Sequence, residues 1–390
     1  MAQAEEKLDL QPGPLTMLDT VSNPQQQKWD LLDAVPAKSV VWDYGYFING
    51  QAYGASREKL IDLVQRGIEL SFVWTPETPE PVSPEEVPFL LDAFRSRSRK
   101  QARNAVLVGA GLVTICIVLA VVLHKWSLVY RNFWSVIGAM SLIEGIWLYS
   151  QSRQYNVEDA ASDASTARFT AWIKKKNLSG YAFTLAACIV VVSATQFFPD
   201  DPIKAAGLVK PAVRNGEIWR LFTSTLMHAN FTHFWLNFLA LLHFSRIIEQ
   251  TVHRAYVPLV FVLTAPVGSL FSVVLYPNST SVGASGGLMG LLGFITIAAY
   301  FDKTRYPPRY FRQMIEAIVL VGVFGLVGFS FVDNAGHLGG LVSGLFLGWF
   351  FLKKNEHWIK EKKNLLELGG VASLLALGVI SAIAVYRMMI

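Results

Sequence analysis

Gly283-Ala284-Ser285-Gly286-Gly287-Leu288-Met289-Gly290 opens an apolar run that continues to about Tyr300. Glycines at this density let helices approach closely in lipid. A serine at a helix start is also a place where a nucleophile can be held. Taken alone, the segment favours packing, and the rest of the chain has to decide.

The chain has 390 residues, 52% of them hydrophobic, with mean hydropathy +0.36. That is too apolar for one soluble domain of this length. Runs of about 17–22 apolar residues follow one another from Ala105 onward, each long enough to cross a bilayer. The composition therefore predicts a polytopic all-α membrane protein behind a polar N-terminal region. The net charge of +5 reports loop Lys and Arg, not nucleic-acid binding. Cys116 and Cys188 fall inside apolar runs and read as packing residues, so no disulfide framework, metal site or cofactor is expected. The first residues have neither a basic n-region nor an apolar h-region, so no cleavable signal peptide is expected.

Residues 1–35 are polar and Pro/Gln-rich and read as a disordered tail. A small α+β domain is expected over 36–76. Val41 to Ile48 reads as a strand, and Asn49-Gly50 as a hairpin turn. Ser56 caps a helix through about Gln65 with Leu60, Leu63 and Val64 on its apolar face, and Leu70 to Trp74 is a further strand. Tyr46-Phe47-Ile48-Asn49-Gly50-Gln51-Ala52-Tyr53-Gly54 and the following helix resemble a bacterial GYF-type domain. Such domains can bind proline-rich peptides; an interaction or regulatory domain of unspecified ligand is the favoured reading.

Residues 77–104 read as a Pro/Glu-rich linker and a basic segment, Arg95, Arg97, Arg99, Lys100 and Arg103, which holds this end in the cytoplasm. Spans are expected at about 105–123, 133–150, 181–198, 233–250, 256–276, 282–301, 313–330, 335–352 and 368–386. A cytoplasmic loop is expected at 151–179, and a basic linker leads into the last span over 353–390. Lys and Arg concentrate in alternate loops, at Arg153 to Lys176, Arg246 and Arg254, Lys303 to Arg312, and Lys353 to Lys363. The N-terminus is therefore inside, and the serine run starts near the outer face.

A serine hydroxyl needs a base. Of seven histidines, only His228, His233 and His337 fall at the depth of Ser285; the others lie on the opposite face, in a separate loop or, for His243, about 15 Å along the helix. His337 sits in Ala335-Gly336-His337-Leu338-Gly339-Gly340, and Gly336, Gly340 and Gly344 share one face that invites the Gly283, Gly286 and Gly290 helix. Asp333 reads as a cap, so the expectation is a Ser–His dyad and not a triad. His233 and Asn237, spaced i, i+4 at the same level, are candidate donors to an oxyanion, with the Ser285 N–H.

These motifs, with His228 and with Glu217-Ile218-Trp219-Arg220, resemble the rhomboid family of intramembrane serine proteases over about residues 180–352. The resemblance implies a six-helix core with two extra N-terminal spans and one extra C-terminal span. It implies Ser285 as nucleophile, His337 as base, and Asn237 and His233 in the oxyanion hole. It also places His228 in a polar cluster that keeps the site hydrated, and Trp219 and Arg220 as structural loop residues. Met289 stands where many members carry an aromatic. The implied substrates are transmembrane proteins, cut at a small residue near helix-breaking ones. The lack of an organelle-targeting presequence favours a bacterial plasma membrane. The helix bearing Gly322, Gly325 and Gly328 is a candidate gate. A catalytically silent, client-binding relative is the main alternative. A transporter would use Glu144 and Glu316, the intramembrane carboxylates.

Overall fold

The computed structural model describes residues 43–48, 51–68, 70–78, 81–130, 133–328, 332–353 and 363–390. The expected tail and the Asn49-Gly50 turn lie outside the described residues. The chain divides into two units, residues 1–168 and 169–390.

In the first unit, β1 (Tyr44–Ile48) pairs antiparallel with β2 (Gln51–Ala55) and, on its other edge, with β3 (Phe72–Trp74). Tyr46 faces Tyr53 across the hairpin, their rings stacked at 5.4 Å. Helix α1 (Arg57–Arg66) starts where the Ser56 hydroxyl accepts the Lys59 N–H at 3.2 Å, and it buries Leu60, Leu63 and Val64. The segment expected as a linker is instead helical from Pro88. Proline fits the first turn, where its missing N–H would have no partner anyway, and α2 (Pro88–Val122) runs on without a break. Val87, Leu90 and Ala93 join the core formed by α1 and the sheet, so burial rather than composition orders this stretch.

After the short α3 (Ser127–Tyr130), α4 (Phe133–Arg153) packs antiparallel on α2. Glycines set the spacing: a Cβ at Gly109 would lie 2.6 Å from the Gly138 carbonyl oxygen, and one at Gly145 would lie 2.8 Å from the Val106 nitrogen. The expected loop at 151–179 contains α5 (Val157–Lys174). It opens on a reciprocal cap, in which Asn156 Oδ1 accepts from the Asp159 N–H and Asp159 Oδ2 accepts from the Asn156 N–H.

The second unit holds α6 (Gly180–Thr195), a long connection, and then α10 to α15. The connection carries α7 (Pro202–Ala206), β4 (Leu208–Val209), α8 (Lys210–Arg214), α9 (Arg220–Thr223) and a 3-10 turn at Ser224–Leu226. There follow α10 (Phe231–Thr251), α11 (Tyr256–Leu275), β5 (Thr280–Ser281), α12 (Ser285–Phe301), α13 (Tyr310–Val327), α14 (Asn334–Leu352) and α15 (Lys363–Met389). Each apolar run of the sequence coincides with one of these helices or with α2 and α4. The molecule is a polytopic all-α membrane protein with a small strand region at its N-terminus.

Helix α12 is the centre of this unit, with residues Gly287 to Thr296, Ala298 and Ala299 buried. Its 17 residues rise only about 26 Å, short of the roughly 30 Å of a hydrocarbon core. Its first residue, Ser285, can therefore lie below a bilayer surface while its last turn reaches the other side. β4 pairs with β5, Leu208 opposite Ser281, so the connection after α6 is laced to the segment that leads into Ser285.

Candidate active site

The 3-10 turn at Ser224–Leu226 holds the approach to α12. The Gly283 N–H donates to the Ser224 carbonyl at 3.0 Å. Gly283 has φ of 142°, a conformation that disfavours any side chain. A Cβ there would also sit 2.8 Å from His233 Cε1 and 3.0 Å from His233 Nε2, and 3.7 Å from Ser285 Oγ. Glycine at this position thus leaves a cradle shared by the His233 imidazole and the Ser285 hydroxyl. Ser285 itself is part-exposed.

His233 is on the first turn of α10, whose N-cap Asn230 accepts the His233 N–H at 2.9 Å. One turn on, the buried Asn237 spends one amide N–H on the His233 carbonyl at 2.8 Å. The His233 ring meets the His228 ring edge-on at 5.2 Å. His228 is buried and clamped: its N–H donates to Gln196 Oε1, and its carbonyl accepts from Gln196 Nε2, each at 2.9 Å. Its Nδ1 lies 3.0 Å from Ser193 Oγ, while Nε2 is buried with no hydrogen-bond partner among the described residues. Burial, with a charged His233 as a further penalty, pushes the His228 pKa down to about 3, so the imidazole is neutral at physiological pH. Ser193, Gln196 and Ser224 were not singled out by sequence reasoning. Each acts through a fold contact about 30 or more residues away in the chain, and isolated Ser and Gln residues carry no motif.

Glycines let α14, the helix of His337, meet α12 at close range. A Cβ at Gly340 would fall on the Gly286 carbonyl, and one at Gly344 on the Gly290 carbonyl. Helix α11 joins the same contact through Gly268, where a Cβ would lie 2.6 Å from the Gly336 oxygen and 3.4 Å from the Gly286 Cα. Ser285 is thus one residue, and His337 three residues, from the Gly286–Gly340 contact where α12 and α14 meet backbone to backbone. Among the described residues, no hydrogen bond joins the Ser285 hydroxyl to His337. Met289 is buried in α12.

The start of α14 is fixed by a junction that the sequence did not reveal. Asp333 Oδ1 accepts the Gly336 N–H at 2.9 Å, the expected cap, and its Oδ2 accepts from the Ser272 hydroxyl. The same oxygen faces the Lys210 ammonium at 3.9 Å, and Lys210, only 1% exposed, donates to Ser279 Oγ at 2.7 Å. Burial lowers the Lys210 pKa, with Asp333 opposing. One buried cation therefore ties the connection after α6 to the loop before Ser285 and to the helix of His337. Arg220 staples the same connection. It is buried against Glu217 Oε2 at 2.7 Å, the Lys204 and Gly207 carbonyls and the Trp219 ring.

The profile of the Rhomboid domain matches residues 215–354, which carry the 3-10 turn after α9, α10 to α14, and every candidate residue named above from Trp219 to Gly344. This segment is a rhomboid domain. Its matches among curated proteins include RHOMBOID-like protein 1 of Arabidopsis thaliana, 33% identical over 157 residues, 40% of either chain. Rhomboid-like protease 3 of Toxoplasma gondii is 30% identical over 148 residues, 37% of this chain and 56% of that one. Rhomboid protease GluP of Bacillus subtilis (strain 168) is 31% identical over 138 residues, 34% of this chain and 26% of that one. The chain thus spans about half or less of the length of these relatives. The rhomboid match begins after α6, and the N-terminal sheet and the α2–α4 pair lie outside it.

Proposed function

We propose that the protein is an intramembrane serine endopeptidase that hydrolyses a peptide bond in or near a transmembrane segment of other membrane proteins. The observation that supports this best is the shared cradle at Gly283, which sets the His233 imidazole, a candidate oxyanion donor, beside the hydroxyl of a serine at the start of a helix too short to span. In this reading His337 takes the Ser285 proton as Oγ attacks the scissile carbonyl. The oxyanion is held by the Ser285 N–H, by the second N–H of Asn237 and by His233. The proton then passes to the leaving amine, and water releases the acyl-enzyme. The unpartnered His228 Nε2 is suited to holding that water.

A substrate helix has its peptide groups bonded internally and must unwind to enter. Helix α13 is the proposed gate: it buries only Tyr310 and Gly325, and Asn334 Nδ2 ties its end through the Gly325 carbonyl at 2.9 Å. The site faces the outer side of a bacterial plasma membrane, with the N-terminus cytoplasmic. A transporter reading has little support: Glu316 pairs with Arg312 at 3.0 Å on the α13 surface, and Glu144 is exposed on α4.

One observation favours a catalytically silent, client-binding rhomboid instead, namely the missing Ser285–His337 hydrogen bond. Such bonds often form only with substrate in place, so chemistry has to separate the two. A fluorophosphonate should label the wild-type chain in detergent, and both Ser285→Ala and His337→Ala should lose labelling. Equal labelling of all three would defeat the proposal, and an inert wild type would favour the silent relative.

A further inference from the structure

Helix α2 does not end its work at the bilayer edge. From Val122 back to Arg103 it rises about 29 Å, the thickness of a hydrocarbon core. Arg103 therefore lies at the interface opposite to the Val122 end. The antiparallel α4 places Tyr149 and Arg153 at that same interface, about 24–30 Å along from Phe133. Between the two helices at this level is a groove of about 610 Å³. Its rim carries Arg99, Lys100 and Arg103, all exposed on one face of α2. Its floor is Ala102 and Val106, and Leu107, Ile146 and Tyr149 stand exposed along its sides. Arg153 stacks on the outer side at 5.6 Å from the Tyr149 ring.

Among the described residues, none of the three rim cations has a carboxylate partner, and no acidic residue lines the groove. A role in fixing topology needs only positive charge near the span. It does not need the cations gathered on one face above an apolar cleft, with an aromatic ring at the interface.

We infer that this groove binds an anionic phospholipid. The phosphate sits among Arg99, Lys100 and Arg103, and an acyl chain runs down over Leu107 and Ile146. Guanidinium groups suit phosphate oxygens in a forked geometry, and anionic lipids attract basic clusters beside a span. The site lies on the α2–α4 pair, outside the rhomboid domain, and its occupancy does not depend on the chain being a protease.

The test is native mass spectrometry of the full chain in a zwitterionic detergent, titrated with phosphatidylglycerol or with phosphatidylcholine of the same acyl chains. Phosphatidylglycerol should bind at least about tenfold more tightly, from roughly fivefold per cation. The Arg99→Ala/Lys100→Ala/Arg103→Ala variant should fall to the phosphatidylcholine level. Arg99→Lys/Arg103→Lys, which keeps the charge for insertion, should retain most of the preference. Ile146→Trp keeps every charge and fills the cleft, so it should weaken binding about threefold or more. Equal binding of the two lipids, or an unchanged preference in the triple variant, would overturn the site. So would displacement by inorganic phosphate at equal concentration, which would make it a soluble-anion site.

Discussion

At the scale of single residues, the Lys210–Asp333 pair joins a buried ammonium to a half-buried carboxylate. Lys210 is nearly inaccessible, whereas Asp333 also serves Ser272 and the Gly336 N–H. Removing a partner from a buried charge costs more than removing the charge itself. Asp333→Ala should therefore lower stability by about 3 kcal/mol or more, because it strips a helix cap and strands a buried ammonium. Lys210→Met should cost less than about 1.5 kcal/mol, because Asp333 keeps its other two donors. Thermal unfolding of both variants in detergent checks the order.

His228 adds a pH dependence. Its pKa is depressed in the folded chain, from an ordinary 6.5 to about 3. Between those values the unfolded chain takes up a proton that the folded chain refuses, so stability falls as pH drops below about 6.5. One such group allows at most about 1.4 kcal/mol per pH unit. Melting the wild type and His228→Asn at pH 7 and pH 4.5 should show a smaller acid loss in the variant.

At the scale of elements, the α12–α14 contact is the feature on which the site's geometry turns. Two helices meet backbone to backbone only where neither carries a side chain, so the four-residue spacing of Gly336, Gly340 and Gly344 makes one face legible in the sequence. The third helix in that contact, α11, was not singled out, since Gly268 is flanked at four-residue spacing by Thr264 and Ser272 and not by further glycines. Gly340→Val places its side chain on the Gly286 carbonyl. It should destabilise the second unit by about 2–3 kcal/mol and abolish fluorophosphonate labelling. Gly322→Ala enters open space on α13 and should change stability by less than about 1 kcal/mol. Detergent melting and labelling of the two variants side by side make the comparison.

At the scale of the whole molecule, what could be read in advance was what has a period or a cap. The apolar runs set the helices, Ser56 and Asp333 announced their caps, and the glycine spacing paired two helices. What could not be read was what burial decides across long separations. The Lys210–Asp333 junction joins residues that are 123 positions apart in the numbering. The helix within 151–179 is polar enough to pass for a loop, and the stretch from Pro88 looked like a linker because its apolar residues serve another core. In the candidate site, Ser285 and His233 share one cradle with His228 edge-on behind the His233 ring, His337 lies on the helix that meets α12 beside it, and Asn237 turns one amide N–H to its own helix.

The central claim is that Ser285 and His337 together cut peptide bonds in a membrane. The direct measurement is cleavage of a transmembrane substrate with a small residue at its cut site, co-reconstituted in liposomes with the wild type, Ser285→Ala or His337→Ala. The claim predicts a product from the wild type only, with both variants at least about 1,000-fold slower. Equal cleavage by the wild type and Ser285→Ala would contradict it.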